Sequence, residues 1–301
     1  MTTTASPLKT RAQAAPVRAS SSRGSRGISA FLTYLSHGAI WLYVLLLLVP
    51  IYYLVISAFK TNTAILNEPF NPFAGLVLDN FGKAWEQATL GPALLNQAYL
   101  TVGASVLTLL LAIPASYALA RSKGKLGGIV ERIFQVGFLV PAFAALVPTV
   151  MLAISMNLFH TREFLILFLP AGAMPLSVIL LTQAMRTVPA ELEESAVLDG
   201  ASQMRVLWAV FLPVTMPTTI TVIILNFLGF WNEYFFSLVI IGPDPALRTA
   251  QVALPTLSMT NAAQYGVLAA GIVITLIPVY IVYAIFAEKM EGAVLAGALK
   301  G

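Results

Sequence analysis

Side chains that could do chemistry are sparse in this sequence, and none of them forms a catalytic pattern. The chain has no cysteine, so it offers no disulfide, thiol nucleophile, iron–sulfur cluster or thiolate zinc site. Its two histidines, His37 and His160, stand alone near the ends of apolar runs. The sequence lacks a GxxxxGK[ST] nucleotide-binding loop, a GxSxG elbow and an HExxH pair. We therefore expect no catalytic residue and no metal site.

Ionisable groups are also absent from the interior of most apolar runs. Charges buried in a membrane usually mark ion or proton pathways, and only Glu233, near the end of the fifth run, comes close to such a position. The sequence thus provides no carboxylate or histidine relay for proton-coupled transport. A transport protein of this kind is either passive or takes its energy from a partner.

The elements that position these side chains are membrane spans. Of the 301 residues, 58% are hydrophobic and only 10% are charged, about half the charged share of a soluble protein. Apolar runs long enough to cross a bilayer recur along the chain, which excludes a soluble globule. The predicted spans are residues 38–59, 99–120, 133–156, 164–185, 218–238 and 265–286. The sequence predicts an all-α polytopic membrane protein with six transmembrane helices, several of them bent by internal prolines.

The N-terminal segment, residues 1–30, differs from the rest of the chain. It is rich in Ser, Ala and Arg, has five basic residues and no acid, and contains almost no large apolar side chain. We predict a disordered basic cytoplasmic tail, followed by a membrane domain over residues 31–301. A signal peptide is the alternative, but the apolar run is long and Ile56 occupies the −3 place of a cleavage site after Ala58.

Basic residues are distributed unequally between the two sides of the predicted spans. With the N-terminus inside, thirteen of the 17 Lys and Arg residues fall on the inside. The four outside are Lys60, Lys83, Arg162 and Arg248. This asymmetry matches the positive-inside rule. We therefore predict a multi-pass protein of the plasma (inner) membrane with both termini in the cytoplasm.

The segment between the fourth and fifth spans, residues 188–213, is the most informative stretch. Pro189 and the acids after it predict a helix start, and Gly200 predicts a sharp stop. Ser202 is suited to cap a second short helix that Pro213 ends. The pattern predicts a helix–turn–helix in the cytoplasm. By itself it fits a helix pair in the lipid headgroups, a simple connection, or a lever inserted into a soluble partner.

The same segment resembles the EAA loop of ABC importer permeases. The residues that match in order and spacing are Glu194-Ser195-Ala196, Asp199-Gly200-Ala201-Ser202 and Leu212-Pro213. Further stretches resemble the maltose-type carbohydrate subfamily: residues 114–121 (PASYALAR), 230–234 (FWNEY) and 297–301 (GALKG). The resemblance covers about residues 95–301. It departs at Ser195, where the family more often has alanine, and at Gly124-Lys125, where relatives commonly have a bulkier run.

This resemblance implies the type I ABC importer permease fold and a permease subunit for a sugar or oligosaccharide. Such a subunit forms half of a translocation path in the lipid bilayer with a second homologous permease. Two cytoplasmic ATPase subunits bind ATP and Mg and supply the motor, and an extracytoplasmic sugar-binding protein delivers the substrate. The chain itself is expected to be no enzyme, to bind no cofactor and to have no nucleic-acid partner.

The resemblance also implies which residues couple the chain to an ATPase. Glu194 would be the charged anchor, Ala196 and Leu198 the apolar fill, and Gly200 the turn. The implied coupling residues are Glu191, Glu194, Ser195, Ala196, Leu198, Asp199, Gly200 and Pro213. The C-terminal residues that would reach towards the ATPase are Gly297, Lys300 and Gly301. A frayed end is the alternative for the C-terminus.

Polar and aromatic groups concentrate at the end of the predicted fifth span. Sugar recognition requires polar groups together with aromatic faces, so these residues form a candidate substrate path. They are Asn226, Trp231, Asn232, Glu233 and Tyr234. An interfacial aromatic belt explains the tryptophan and the tyrosine equally well. The following loop, residues 242–264, corresponds in position to the outer loop that in relatives probes the binding protein.

Two functions of other classes remain open on the sequence. One is a passive channel or facilitator without ATPase partners, and the other is a membrane scaffold that transports nothing. Uptake that persists without ATPases would support the channel. Copurification of two ATPase copies with a second permease would exclude both.

Overall fold

The computed structural model describes residues 23–258 and 264–298, which are mainly helical. In chain order the helices are α1 (Arg23–Ala58), α2 (Asn62–Asn67), α3 (Asp79–Gln87), α4 (Leu90–Arg121), α5 (Lys125–Phe138), α6 (Leu146–Ser155), α7 (Arg162–Arg186), α8 (Ala190–Leu198), α9 (Gln203–Val206), α10 (Leu212–Val214), α11 (Met216–Trp231), α12 (Phe235–Ile240), α13 (Ala250–Ala253) and α14 (Tyr265–Ala298). Within these two ranges the only β-type pairing is a single bridge between Lys60 and Leu76.

The chain divides into two compact units, Met1–Tyr52 and Tyr53–Gly301. In the first unit the described residues belong to α1, and their side chains from residue 33 onward are almost all exposed. A helix that is apolar on all sides is suited to lipid. Because α1 begins at Arg23, residues 23–30, which we assigned to the disordered tail, are helical. Extending an existing helix costs far less than nucleating one. Residues 1–22 of the predicted tail lie outside the described residues.

In the second unit, three helices are long and apolar enough to cross a membrane. They are α4, α7 and the Tyr265–Ala287 part of α14. They correspond to the predicted second, fourth and sixth spans, and each extends beyond at least one predicted end. Together with α1, the described residues contain four such helices. Two further helix pairs are bent, and the number of spans is six if each bent pair is one span.

The predicted third span, residues 133–156, is not one continuous helix. α5 ends at Phe138, a tight turn follows over Ala142–Ala145, and the next helical segment runs at 93° to α5. Pro141 precedes that turn and has no backbone N–H to continue the helix. The prediction of one straight span is therefore wrong here, since the segment forms two helices bent at Pro141.

The predicted fifth span, residues 218–238, also differs from the structure. α11 ends at Trp231, and Phe235–Ile240 forms the separate helix α12. The carboxylate of Glu233 accepts hydrogen bonds from the backbone N–H groups of Phe236 at 2.7 Å and Ser237 at 2.9 Å. These are unpaired groups of the first turn of α12, so Glu233 acts as a cap and a new helix begins.

The central helix of the second unit is α4, which packs along α7 and also contacts α11. The approach to α7 is close, because a Cβ on Gly103 would lie 3.0 Å from Ile166 Cδ1. Its 32 residues give α4 a length of about 48 Å, against about 30 Å for the hydrocarbon core of a bilayer. The helix therefore carries side chains to both sides of the membrane.

Candidate functional site

The loop over residues 188–213 folds as a helix, a turn and a second helical segment. α8 begins after Pro189 and ends before Asp199. Gly200 then takes φ of +82°, a conformation that favours glycine. The hydroxyl of Ser202 accepts a hydrogen bond from the Arg205 N–H at 3.4 Å and caps α9.

One side of this loop is anchored to the end of α4 through Arg121. Its guanidinium Nε lies 2.7 Å from Glu193 Oε2, and its Nη2 donates to the Val188 carbonyl at 3.0 Å. The same guanidinium lies 4.5 Å from the centre of the Phe211 ring. Tyr117, one turn earlier on α4, donates from its hydroxyl to Glu193 Oε1 at 2.8 Å. The end of α4 thus holds the start, the first helix and the second segment of the loop.

The other side of the loop is exposed and mixes carboxylates with large apolar side chains. Leu198 is 87% exposed, and Glu194, one helical turn earlier on α8, is also exposed. The remaining exposed members of α8 and the turn are Ala190, Glu191, Leu192, Ser195, Val197, Asp199 and Gly200. Ala196 differs, because it packs against the core cluster that contains Val188 and Phe211. Exposed apolar side chains rimmed by polar ones are typical of surfaces that contact another protein or a membrane.

The second half of the loop meets α11 at a sharp angle. Gln203–Val214 and Met216–Trp231 are bent by 84° relative to each other. The turn Leu207–Phe211 is wider than an α-helical turn and comes just before Pro213. Proline cannot donate to the preceding turn, and wide turns relieve its clash with that turn. The bend itself lies at Thr215, where Pro217, in the first turn of α11, has no backbone N–H to continue the preceding helix.

Four of the five candidate substrate residues make hydrogen bonds within the chain, three of them to another helix. The amide of Asn226 exchanges hydrogen bonds with the Ser177 hydroxyl at 3.2 and 3.4 Å. The indole N–H of Trp231 donates to the Thr275 carbonyl at 3.2 Å. Glu233 caps α12, as described above. These side chains hold helices together and are not directed as a group into one cavity.

The other two, Asn232 and Tyr234, are exposed. Asn232 Nδ2 donates to the Leu228 carbonyl of its own helix at 2.8 Å. A groove of about 800 Å³ between α3, α4, α11 and α14 has Trp231 in its wall, together with Trp85 and Phe227. Its lining is almost wholly apolar. Such a wall offers stacking faces but few hydrogen-bond partners for sugar hydroxyls.

The predicted C-terminal contact residues are only partly covered by the structure. Gly297 lies in the last turn of α14, whereas Lys300 and Gly301 lie outside the described residues. Within the described ranges, no group of three or more His, Cys, Asp or Glu side chains could hold a metal ion.

The sequence analysis missed the roles of Tyr117, Arg121 and Glu193. Tyr117 and Arg121 stand four residues apart, so they share one face at the end of α4. An arginine and a tyrosine on one face at a helix end, near an acidic loop, are a recognisable signal for such an anchor. Both belong to the PASYALAR stretch that carried part of the resemblance.

Comparison with known proteins agrees with this geometry. Residues 104–292 match the family model of the binding-protein-dependent transport system inner membrane component. The diacetylchitobiose uptake system permease protein NgcG of Streptomyces coelicolor is 31% identical over 267 residues, 88% of each chain. The probable starch degradation products permease AmyC of Thermoanaerobacterium thermosulfurigenes is 30% identical over 85% of this chain and 93% of its own. MelC of Bacillus subtilis, a melibiose/raffinose/stachyose import permease, is 27% identical over 84% and 91%.

Solved structures give the same fold at lower identity. A chain of a bacterial ABC transporter involved in the import of the acidic polysaccharide alginate superposes with a TM-score of 0.74 and 21% identity. The match covers 89% of this chain and 98% of that one. A chain of the MetNI methionine ABC transporter superposes with a TM-score of 0.53 and 17% identity, over 68% and 95%. The chain therefore belongs to the family of inner membrane components of binding-protein-dependent transport systems and has the all-helical fold of an ABC importer permease.

Proposed function

We propose that this chain is the permease subunit of an ATP-driven importer of sugars or oligosaccharides and forms half of the translocation path with a second permease. The observation that carries the proposal is the loop of residues 188–213. Arg121 and Glu193 anchor one of its sides to α4, while the other side presents Glu194 and Leu198 to solvent. A loop held in this way is suited to insert into a cleft of a soluble partner.

The partner on this side is a pair of cytoplasmic ATPases, which bind ATP and Mg. Glu194 makes no hydrogen bond or ion pair within the described part of the chain, so its carboxylate is available to a basic residue of the ATPase. Leu198 supplies apolar contact area. Ala196 stabilises the loop from inside, because it packs on the permease's own core. Closure of the ATPases on ATP moves the loop, and the Arg121 anchor passes that movement to α4.

The substrate class is supported by the names of the relatives, which transport diacetylchitobiose, starch degradation products, or melibiose, raffinose and stachyose. Within this chain, Asn226, Trp231 and Glu233 are bonded to other helices. Asn232 donates to its own helix, so the exposed Tyr234 and the remaining amide groups of Asn232 are left for direct sugar contact. We assign most of the selectivity to the second permease and to the extracytoplasmic binding protein.

The proposed orientation places the loop and both termini in the cytoplasm. The support is the distribution of basic residues, thirteen of 17 on the loop side. Gly297, Lys300 and Gly301 then lie on the ATPase side of the membrane. Single cysteines in this cysteine-free chain test the orientation. In intact cells an impermeant thiol reagent should label Asn71→Cys and spare Ser202→Cys, and the reverse result would contradict the orientation and the coupling.

The function is tested by reconstituting the permease with its partner permease, two ATPases and binding protein in lipid vesicles. Uptake of radiolabelled diacetylchitobiose and raffinose should require both ATP and the binding protein. The four membrane and ATPase subunits should copurify. Uptake that continues at the same rate without the ATPases would contradict the proposal and support a passive channel.

A further inference from the structure

The end of α4 far from the loop is fastened to the segment between α12 and α13, residues 242–249. Asn96 is 4% exposed, and its Nδ2 donates to the carbonyls of Ala246 and Arg248, both at 3.0 Å. In return, Arg248 Nη2 donates to the Ala88 carbonyl at 2.9 Å and to Thr89 Oγ1 at 3.0 Å, in the turn that leads into α4. Four hydrogen bonds therefore join the 242–249 segment to α4.

Asn96 also joins α4 to α7. Its Oδ1 accepts a hydrogen bond from Arg162 Nη1 at 2.5 Å, and the Arg162 guanidinium lies 5.1 Å from the centre of the Tyr99 ring. Arg162 is the first residue of α7. Both donor positions and the acceptor of the Asn96 amide are thus used. A buried polar group with all its partners in place is a rigid point of a structure.

The 242–249 segment is itself compact. Asp244 accepts hydrogen bonds through Oδ1 from the Ala246 N–H at 2.9 Å and through its carbonyl from the N–H groups of Leu247 and Arg248 at 3.1 and 2.8 Å. Residues 243–246, two of them prolines, are exposed. Proline limits the conformations of a turn. The segment therefore presents a stiff, exposed turn.

The α4–α7 pair connects this turn to the loop of residues 188–213. Asn96 and Arg121 are 25 residues apart on one helix, about 37 Å. Between them the two helices stay in contact, with Gly103 against Ile166 and the Ser116 hydroxyl donating to the Val178 carbonyl at 3.4 Å. The loop follows directly from the end of α7. The α4–α7 pair is thus joined to the 242–249 segment at one end and to the 188–213 loop at the other.

We propose that Asn96 and Arg248 are positioning residues that hold the 242–249 segment on the α4–α7 pair, so that movement of the 188–213 loop reaches this segment across the membrane. The inference rests on the proposed function, because it assigns the exposed turn to the extracytoplasmic binding protein and the loop to the ATPases. Coupling of two sites requires an element that both of them bias. The α4–α7 pair is that element, since it holds the loop through Arg121 at one end and the turn through the four hydrogen bonds at the other.

The test uses Ala246→Cys in the cysteine-free chain, assembled as the complete complex in lipid vesicles. The Ala246 side chain is exposed and only its carbonyl binds Asn96, so the substitution keeps the contact. The rate of reaction with an impermeant maleimide is measured without nucleotide and with a non-hydrolysable ATP analogue. The analogue should change this rate, because it closes the ATPases on the loop.

Asn96→Asp is then added to the same chain. Aspartate keeps the acceptor for Arg162 and so the link to α7, but it loses both donors to the 242–249 segment. The effect of the analogue on the maleimide rate should disappear. Uptake of raffinose or diacetylchitobiose should fall about tenfold, within the usual range of coupling between linked sites, while ATP hydrolysis without binding protein stays unchanged. Arg248→Lys, which keeps one donor, should give an intermediate effect.

Thr108→Ala is the matched control, since Thr108 is a buried polar residue of α4 whose hydroxyl bonds only to the Ala104 carbonyl of its own helix. It should behave like the parent. An Asn96→Asp complex that keeps both uptake and the analogue effect overturns the inference. So does an equal loss in Thr108→Ala, which would mean general damage to α4. A parent complex without ATP-dependent uptake overturns the proposed function itself, whereas an active parent whose maleimide rate ignores the analogue overturns only the inference.

Discussion

Replacing Arg121 by alanine tests the anchor between the loop of residues 188–213 and α4. The guanidinium pairs with Glu193 at 2.7 Å, donates to the Val188 carbonyl at 3.0 Å and stacks over Phe211. Contacts of charged groups contribute about 1.5–3 kcal/mol each, and an exposed cation–π contact about 0.5–1 kcal/mol. The paired side chains are 25% and 24% exposed, so water weakens the pair. We expect Arg121→Ala to lower the free energy of unfolding by about 3 kcal/mol.

A double-mutant cycle isolates the ion pair from the other contacts. Glu193→Ala loses the pair and the hydrogen bond from Tyr117, and should cost about 2 kcal/mol. The double variant loses the pair only once, so it should cost about 3.5 kcal/mol, which leaves a coupling energy of about 1.5 kcal/mol. The assay is thermal unfolding of the purified permease alone in micelles, followed by tryptophan fluorescence. The Tm should fall by about 2 °C for each kcal/mol.

The same variants should also lower the amount of sugar taken up per ATP hydrolysed, because a detached loop no longer moves α4. Glu131→Ala is the control. It breaks the two-pronged pair with Arg186, at 3.0 and 2.6 Å, which joins α5 to α7 outside the loop. This variant should lose stability but keep its uptake per ATP. Single effects that add to within about 0.5 kcal/mol would show that Arg121 and Glu193 do not interact, and an unchanged uptake per ATP in Arg121→Ala would show that the anchor carries no movement.

Three further predictions concern the loop and the fifth span. Gly200→Ala places a Cβ in open space but at φ +82°, so it should cost about 1–2 kcal/mol of backbone strain and reduce uptake at normal abundance. Gly82→Ala is the control, because Gly82 is equally unobstructed but lies on helix α3, and it should be neutral or stabilising in thermal unfolding. Leu198→Ser should leave the Tm of the isolated permease unchanged and weaken copurification of the ATPases, since the side chain is 87% exposed. Trp231→Phe loses the hydrogen bond to Thr275, so it should lower stability by about 1 kcal/mol and leave the preference between raffinose and diacetylchitobiose unchanged in uptake assays; a changed preference would return Trp231 to the substrate path.

Elements that depend on local signals could be predicted from the sequence. The long apolar runs of α4, α7 and α14 predicted their spans, because within a membrane a helix satisfies all its backbone hydrogen bonds inside one segment. Pro189 and Gly200 predicted the start and the end of the first loop helix, since each restricts or permits a particular backbone conformation. The predicted helix boundaries were wrong where a helix could be extended at little cost, as in α1, which begins at Arg23.

The remaining features depend on contacts between residues far apart in the chain. Tyr117 and Glu193 are 76 positions apart, and no periodicity pairs them. Glu233 was assigned to the substrate path by its type and neighbours, but the backbone N–H groups of α12 determine what its carboxylate binds. Ala196 was expected to face a partner, yet the helical turn that exposes Leu198 directs Ala196 to the core. Residue type indicated which groups are polar, and only the packing showed where their partners lie.

The length of α4 makes the permease sensitive to the lipid around it. The two polar clusters at Asn96 and Arg121 lie about 37 Å apart, a little more than the roughly 30 Å hydrocarbon core. In a bilayer of that thickness both clusters reach the headgroup region. A hydrocarbon core thicker than about 37 Å would draw one cluster into hydrocarbon, and a thinner one would tilt the helix, each at a modest cost per ångström. We therefore expect the transport rate to depend on acyl-chain length, through the angle of a single helix.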